Sequence, residues 1–129
     1  MSAFSNSLGI SSSGLKAQAH RLRIVAENVA NTDTPGYRRK MVTFSEDQTV
    51  SGLARVVLDK VSLDRRAGAQ VYDPGHPMAD PTGHYTGSNV DLIIEIADAR
   101  EAQRSYEANL KMFDQARQMS SGLMDLLRK

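Results

Sequence analysis

Four side chains in a proline-rich stretch are the first that could do chemistry. Asp73, His76 and Asp80, with His84 close behind, bring two carboxylates and two imidazoles together, a donor set that can bind a divalent cation. Their spacing matches no common metal motif. Pro74, Pro77 and Pro81 explain the stretch equally well as a stiff surface loop. A metal-dependent enzyme would have to use His76, His84 and these carboxylates, and the remaining sequence gives it little support. There is no Gly-rich phosphate loop, no nucleophile elbow and no HExxH. Glu95 and Asp98 are expected on a solvated helix face, and His20 lies off the N-terminal apolar seam. Arg38-Arg39-Lys40 could meet phosphates, but a net charge of +1 argues against nucleic acid or an anionic membrane surface as partner. The run is expected to pair with acids on a neighbouring subunit or to face solvent. No cysteine is present, which removes disulfides and thiolate metal sites. The expectation is therefore no catalytic residue, no cofactor, no metal and no small-molecule substrate.

The strongest pattern lies at the two ends, where apolar and small residues recur at spacings of four and three. One seam runs through Leu8, Ser12, Leu15, Ala19, Leu22, Ala26 and Val29. The other runs through Ala102, Tyr106, Asn109, Phe113, Ala116, Ser120, Leu123 and Leu127, with Leu110 beside it. Such spacing keeps one helical stripe facing a partner helix. The spacing predicts a helix over about 8–31 and another from Val90 or Asp91 to about Leu127, capped by Ser88 or Asn89. A second stripe of Ile10, Ala17 and Ile24 makes the first helix apolar over more than one face, which suits more than one partner. Ser11 to Gly14 weakens the helix but permits close helix–helix approach.

All four prolines fall between these helices. Thr34-Pro35-Gly36-Tyr37 reads as a type II turn with Gly36 third. Arg55–Leu63 reads as a strand, Gln70–Tyr72 as a second short one, and 83–89 as a turn-rich loop. The expected fold is mainly α. Long N- and C-terminal helices form a coiled-coil-like pair, a discontinuous core of residues 1–37 and 90–129. Residues 38–89 form a small irregular or β middle. The leading residues, rich in Ser, read as no cleaved signal peptide, and no apolar run is long enough to span a membrane. Two helices cannot enclose two wide apolar faces, so the ends are expected to be largely unfolded alone and helical on assembly.

The segment Ala26-Glu27-Asn28-Val29-Ala30-Asn31-Thr32-Asp33-Thr34-Pro35-Gly36-Tyr37 resembles the N-terminal signature of the flagellar axial proteins. Gly36-Tyr37-Arg38-Arg39-Lys40, Tyr72-Asp73-Pro74 with His76-Pro77 and Ala79-Asp80, Ser88-Asn89-Val90-Asp91 and Arg104-Ser105-Tyr106-Glu107-Ala108-Asn109 are similar to the basal-body rod proteins, the proximal ones in particular. Ser88 stands where many relatives have proline. The resemblance implies a structural rod subunit in the periplasm, exported through the flagellar type III apparatus without a cleaved signal. It would assemble helically to transmit torque. Its partners would be other rod proteins and the basal-body components that seat the rod. The interface would use Leu8, Leu15, Ala19, Leu22, Ala26, Val29, Tyr106, Leu110, Phe113, Ala116, Leu123 and Leu127. Asn28, Asn31, Thr34, Pro35, Gly36 and Tyr37 would set how the chain leaves the inner tube. The rivals are another proximal rod protein, a soluble helical adaptor that folds alone, and the metal-dependent enzyme.

Overall fold

A computed structural model describes residues 2–47 and 54–128. The chain runs α1 (Ser2–Ala30), β1 (Lys40–Asp47), β2 (Arg55–Leu63), β3 (Gln70–Tyr72), β4 (His84–Thr86) and α2 (Leu92–Leu127). The two helices hold 29 and 36 residues, so they measure about 44 and 54 Å. The mainly α reading with a small β middle holds. Among the described residues, no helix is long and apolar enough to cross a membrane.

Several boundaries differ from expectation. Helix α1 begins at Ser2 rather than near Leu8, so the Ser-rich lead is helical. Phe4 and Ser7 share a groove with Met112, Ala116 and Met119 of α2, so this first turn lies alongside α2, where tertiary surroundings can outweigh weak local propensity. The cap of α2 is Asp91, not Ser88 or Asn89. Its carboxylate accepts the Ile93 N–H at 3.0 Å. The Ser88 hydroxyl instead donates to the Thr32 carbonyl, and the Asn89 amide donates to the Asp64 and Arg66 carbonyls at 3.1 and 3.0 Å.

The middle segment forms two separate two-stranded antiparallel sheets, β1–β2 and β3–β4. Strands β1 and β4 were not expected; they are the pairing partners of the two strands that were. Lys40 pairs with Leu63 and Asp47 with Arg55. The register slips between Thr43 and Phe44, where Asp59 is left as the extra residue of a bulge. Between β3 and β4 the proline-rich stretch is a run of hydrogen-bonded turns rather than open coil. The N–H groups of His76, Ala79 and Gly83 donate to the carbonyls of Asp73, His76 and Asp80 at 2.9 to 3.0 Å.

The helices pack antiparallel. Phe4 and Ser7 lie by Met112 to Met119, Gly14 meets Asn109, Arg21 meets Asp98 and Glu101, and Asn28 meets Glu95. A Cβ on Gly14 would sit 2.8 to 2.9 Å from the Asn109 side-chain amide, so any larger residue there would have to displace that amide. Ser11, also buried, lies one turn away. The small residues that weaken the helix thus permit the close approach expected of them. Among the described residues the buried apolar core consists only of Ala17, Ile24, Val25, Ala102 and Ala116. That is a meagre core for a chain of this length, and the largest fully buried side chains are the polar Glu95 and Asn28.

Candidate assembly surface and its polar junction

The seam read from the sequence on α1 is not the stripe that meets α2. The α2-facing stripe holds Ser11, Gly14, Val25 and Asn28, all buried, while Ala17 and Ile24 face the β1–β2 hairpin. With 3.6 residues per turn, the Leu8–Val29 seam lies roughly 60–100° around the helix from the α2 contact. Leu8, Leu15 and Leu22 are half-buried, and Ala19, Ala26 and Val29 are exposed. On α2 the expected seam does face α1 over its middle. Ala102 and Ala116 are buried, and Tyr106 and Phe113 are half-buried. Leu110, Leu123 and Leu127 are exposed, the last two on the final turns of α2, which run past the start of α1. Ile93 and Ile96, at the other end of α2, are exposed as well.

The turn that follows α1 has the geometry its residues require. The Tyr37 N–H donates to the Thr34 carbonyl at 3.1 Å across Pro35 and Gly36, and Gly36 sits at φ 74°, which suits the third position of a type II turn. Asn31 holds the helix end by donating from its side chain to the Glu27 carbonyl at 2.9 Å, and it accepts the Thr34 hydroxyl at 3.0 Å. The turn then docks on the approach to α2. The Gly36 N–H donates to Thr86 at 3.1 Å, the Asn89 N–H to Tyr37 at 3.2 Å, and the Arg39 N–H to the Asn89 side chain at 2.6 Å.

A polar knot ties α1, β1 and α2 together at this end. The Asn28 amide nitrogen donates to the Lys40 carbonyl at 2.9 Å and reaches a Glu95 oxygen at 3.4 Å. Its oxygen accepts the Tyr37 hydroxyl and the Lys40 N–H, both at 2.9 Å. The Arg39 guanidinium pairs with the other Glu95 oxygen and with Asp98 at 2.7 Å, and Lys40 pairs with Glu27. Glu95 is 0% exposed, so a buried carboxylate has both oxygens occupied. Burial, followed by the Glu27 charge, raises the Tyr37 phenol above its ordinary value, which keeps it protonated as a donor to Asn28. A hydrogen bond from Lys40 to Glu27 raises the ammonium in the same way.

These contacts correct two expectations. Glu95 is not on a solvated face. It lies seven residues before Ala102, inside the α2 seam, and Arg39 supplies the charge that allows its burial. Arg39 and Lys40 find their acids within the chain rather than on a neighbour. The seven-residue step from Glu95 to Ala102 was the signal that could have placed Glu95.

The proline-rich loop uses its polar groups locally. One Asp80 oxygen accepts the Thr82 and His84 N–H groups at 2.9 and 3.1 Å and the Thr82 hydroxyl at 2.6 Å. That Thr82 hydrogen bond comes first among the causes that hold the Asp80 carboxyl below the usual range. The His76 ring stacks on Tyr85 at 4.0 Å. Among the described residues, no three His, Asp or Glu side chains gather as a metal site.

Comparison with known proteins places this architecture in a family. Residues 8–38 match the family model for flagella basal body rod proteins, and residues 82–126 match the C-terminal model of the flagellar basal body rod FlgEFG proteins. The flagellar basal-body rod protein FlgC of Agrobacterium fabrum is 50% identical over 127 residues, covering 92% of this chain and 91% of that protein. FlgC of Salmonella typhimurium is 33% identical over 124 residues, covering 91% and 92%. FlgC of Aquifex aeolicus is 34% identical over 114 residues, covering 84% and 85%. With the signature turn Asn28 to Tyr37 closing α1, and kinship along almost the whole length, this chain belongs to the FlgC family of flagellar basal-body rod proteins.

Proposed function

We propose that this chain is a structural subunit of the proximal part of the rod and that its work is mechanical. It is not an enzyme. Helices α1 and α2 form the inner layer of the rod, packing in coiled-coil fashion against the terminal helices of neighbouring subunits. The segment 38–89 lies outside and makes the contacts particular to this position in the rod. Neighbours are other rod proteins and the basal-body components that seat them. The chain reaches the site through the flagellar type III apparatus, without a cleaved signal, and completes its fold there. Torque passes between subunits because their interfaces are rigid and heterologous, which extends a helix rather than closing a ring.

The observation that supports this reading is a seam left no more than half-buried. Leu8, Leu15, Leu22 and Val29 hold a strict repeat of seven, yet the intrachain partner of α1 lies on a different face. A chain whose described residues bury only five apolar side chains, while Ile93 is exposed by 80% and Leu127 by 76%, leaves its core for others to finish. An adaptor that folds alone would have closed those faces. Leu22→Asp tests the reading in cells. We expect the variant to be made and exported while rods and swimming are lost. Normal swimming would refute the seam.

A further inference from the structure

Two exposed stripes on this chain share one period and have opposite shapes, the α2 one only edged by Phe4 and Ser7 of its own chain. On α1, Ser12, Ala19 and Ala26 recur every seven residues, are exposed, and leave shallow gaps between Leu8, Leu15 and Leu22. On α2, Met112, Met119 and Leu126 also recur every seven residues and stand exposed by 58%, 55% and 67%. Each stripe spans fourteen residue steps, about 21 Å of helix. Small residues at heptad spacing form holes, and large flexible ones at the same spacing form knobs.

We propose that the Met112–Met119–Leu126 stripe of one copy seats over the Ser12–Ala19–Ala26 stripe of a second copy. This deepens the reading of the chain as an assembling rod subunit and rests on it. Charge selects this pairing over the symmetric ones. Residues 2–26 carry Lys16, Arg21 and Arg23 and no acid, so two α1 stripes face to face would oppose basic side chains. Residues 105–126 carry Glu107, Asp114 and Asp125 against Lys111 and Arg117, a slight acidic excess that complements α1. Two α2 stripes face to face would set methionine against methionine and leave the small stripe bare. Each copy therefore offers a knob face on one side and a hole face on another. The contact is heterologous and continues from copy to copy.

The absence of cysteine makes the test clean. Ala19 and Met119 are the central members of their stripes, so they oppose each other whether the helices run parallel or antiparallel. Within one copy Met119 lies beside Phe4 and Ser7, more than ten residues along α1 from Ala19, so no link forms inside a chain. In cells that build rods, mild oxidation of the Ala19→Cys/Met119→Cys chain is expected to give dimers and higher multimers on non-reducing gels. Either single variant alone, and Ala19→Cys combined with Arg104→Cys on the outer polar face, should remain monomeric. Monomer from the central pair in intact rods, or Ala19→Cys dimers formed alone, would overturn the pairing while leaving assembly standing. A wild-type chain absent from rods would instead sink the assembly reading. If the double variant does not enter rods, a size swap decides: Ala19→Leu should block assembly and Met119→Ala in the same chain should restore it. Failure to restore overturns the proposal.

Discussion

Removing the Asn28 side chain should unfasten the junction of α1, β1 and α2. In Asn28→Ala, three hydrogen bonds at 2.9 Å disappear: those to the Lys40 carbonyl, from the Lys40 N–H and from the Tyr37 hydroxyl. Each contributes about 0.5–1.5 kcal/mol net, and the backbone groups of Lys40 are left poorly satisfied. The expected loss is about 2–4 kcal/mol per subunit, or about 30- to 1000-fold in the population of the assembled form. Tyr37→Phe removes one of the three bonds and should cost about 1 kcal/mol, close to fivefold. Asn28→Asp keeps the accepting oxygen but sets a second carboxylate against Glu95, so it should not rescue the site. The assay is the amount of this chain retained in isolated basal bodies at graded expression, together with the temperature at which it is released. Wild-type occupancy and release by Asn28→Ala would refute the reasoning. So would a Tyr37→Phe defect as large as that of Asn28→Ala, because the loss would then not scale with the bonds removed.

Other perturbations test separate parts of the structure. Gly14→Leu should drive the helices apart and lower incorporation about tenfold or more, whereas Gly14→Ala should be tolerated once Asn109→Ala has cleared the site. Equal defects with and without Asn109→Ala would show that the helices do not cross there. The hydrogen bonds of the Arg66 side chain, then its backbone N–H, lower the Asp64 carboxyl below its ordinary value of about 3.9. That contribution is fully present above about pH 4 and fades as pH falls through the lowered value. The Arg66 amide resonance should report the change on acid titration, and a midpoint above about pH 4 would contradict the pairing.

Much of this molecule is legible in its residues, and what is not has a physical cause. Helix α2 shows plainly because its 4-3 repeat and its early acid Glu95 agree, although its cap, Asp91, was not the residue expected. The Pro35-Gly36 turn shows because only glycine tolerates the angle at that place. The start of α1 does not show, since Ser and Asn favour caps and turns locally, whereas in the fold Phe4 and Ser7 lie alongside α2. Strands β1 and β4 are hidden because they are defined by pairing, Lys40–Asp47 with Arg55–Leu63 and His84–Thr86 with Gln70–Tyr72, which neither segment displays alone. Glu95 misleads by type, since a lone carboxylate reads as surface until Arg39 and Asn28, distant in sequence, are seen beside it. The α1 seam reads as a stripe, but periodicity cannot say whether a partner helix belongs to the same chain. The structure gives that intrachain place to Ser11, Gly14, Val25 and Asn28 instead.

The most direct measurement compares amide protection of this chain, by hydrogen exchange, when dilute and alone and when held in purified basal bodies. Backbone amides of residues 8–30 and 92–127 should exchange quickly and show little helical signal in the free chain, then become strongly protected within the rod. Strong protection of both helices in the solitary chain, lost in one cooperative melt, would contradict the claim that its fold is finished only by its neighbours.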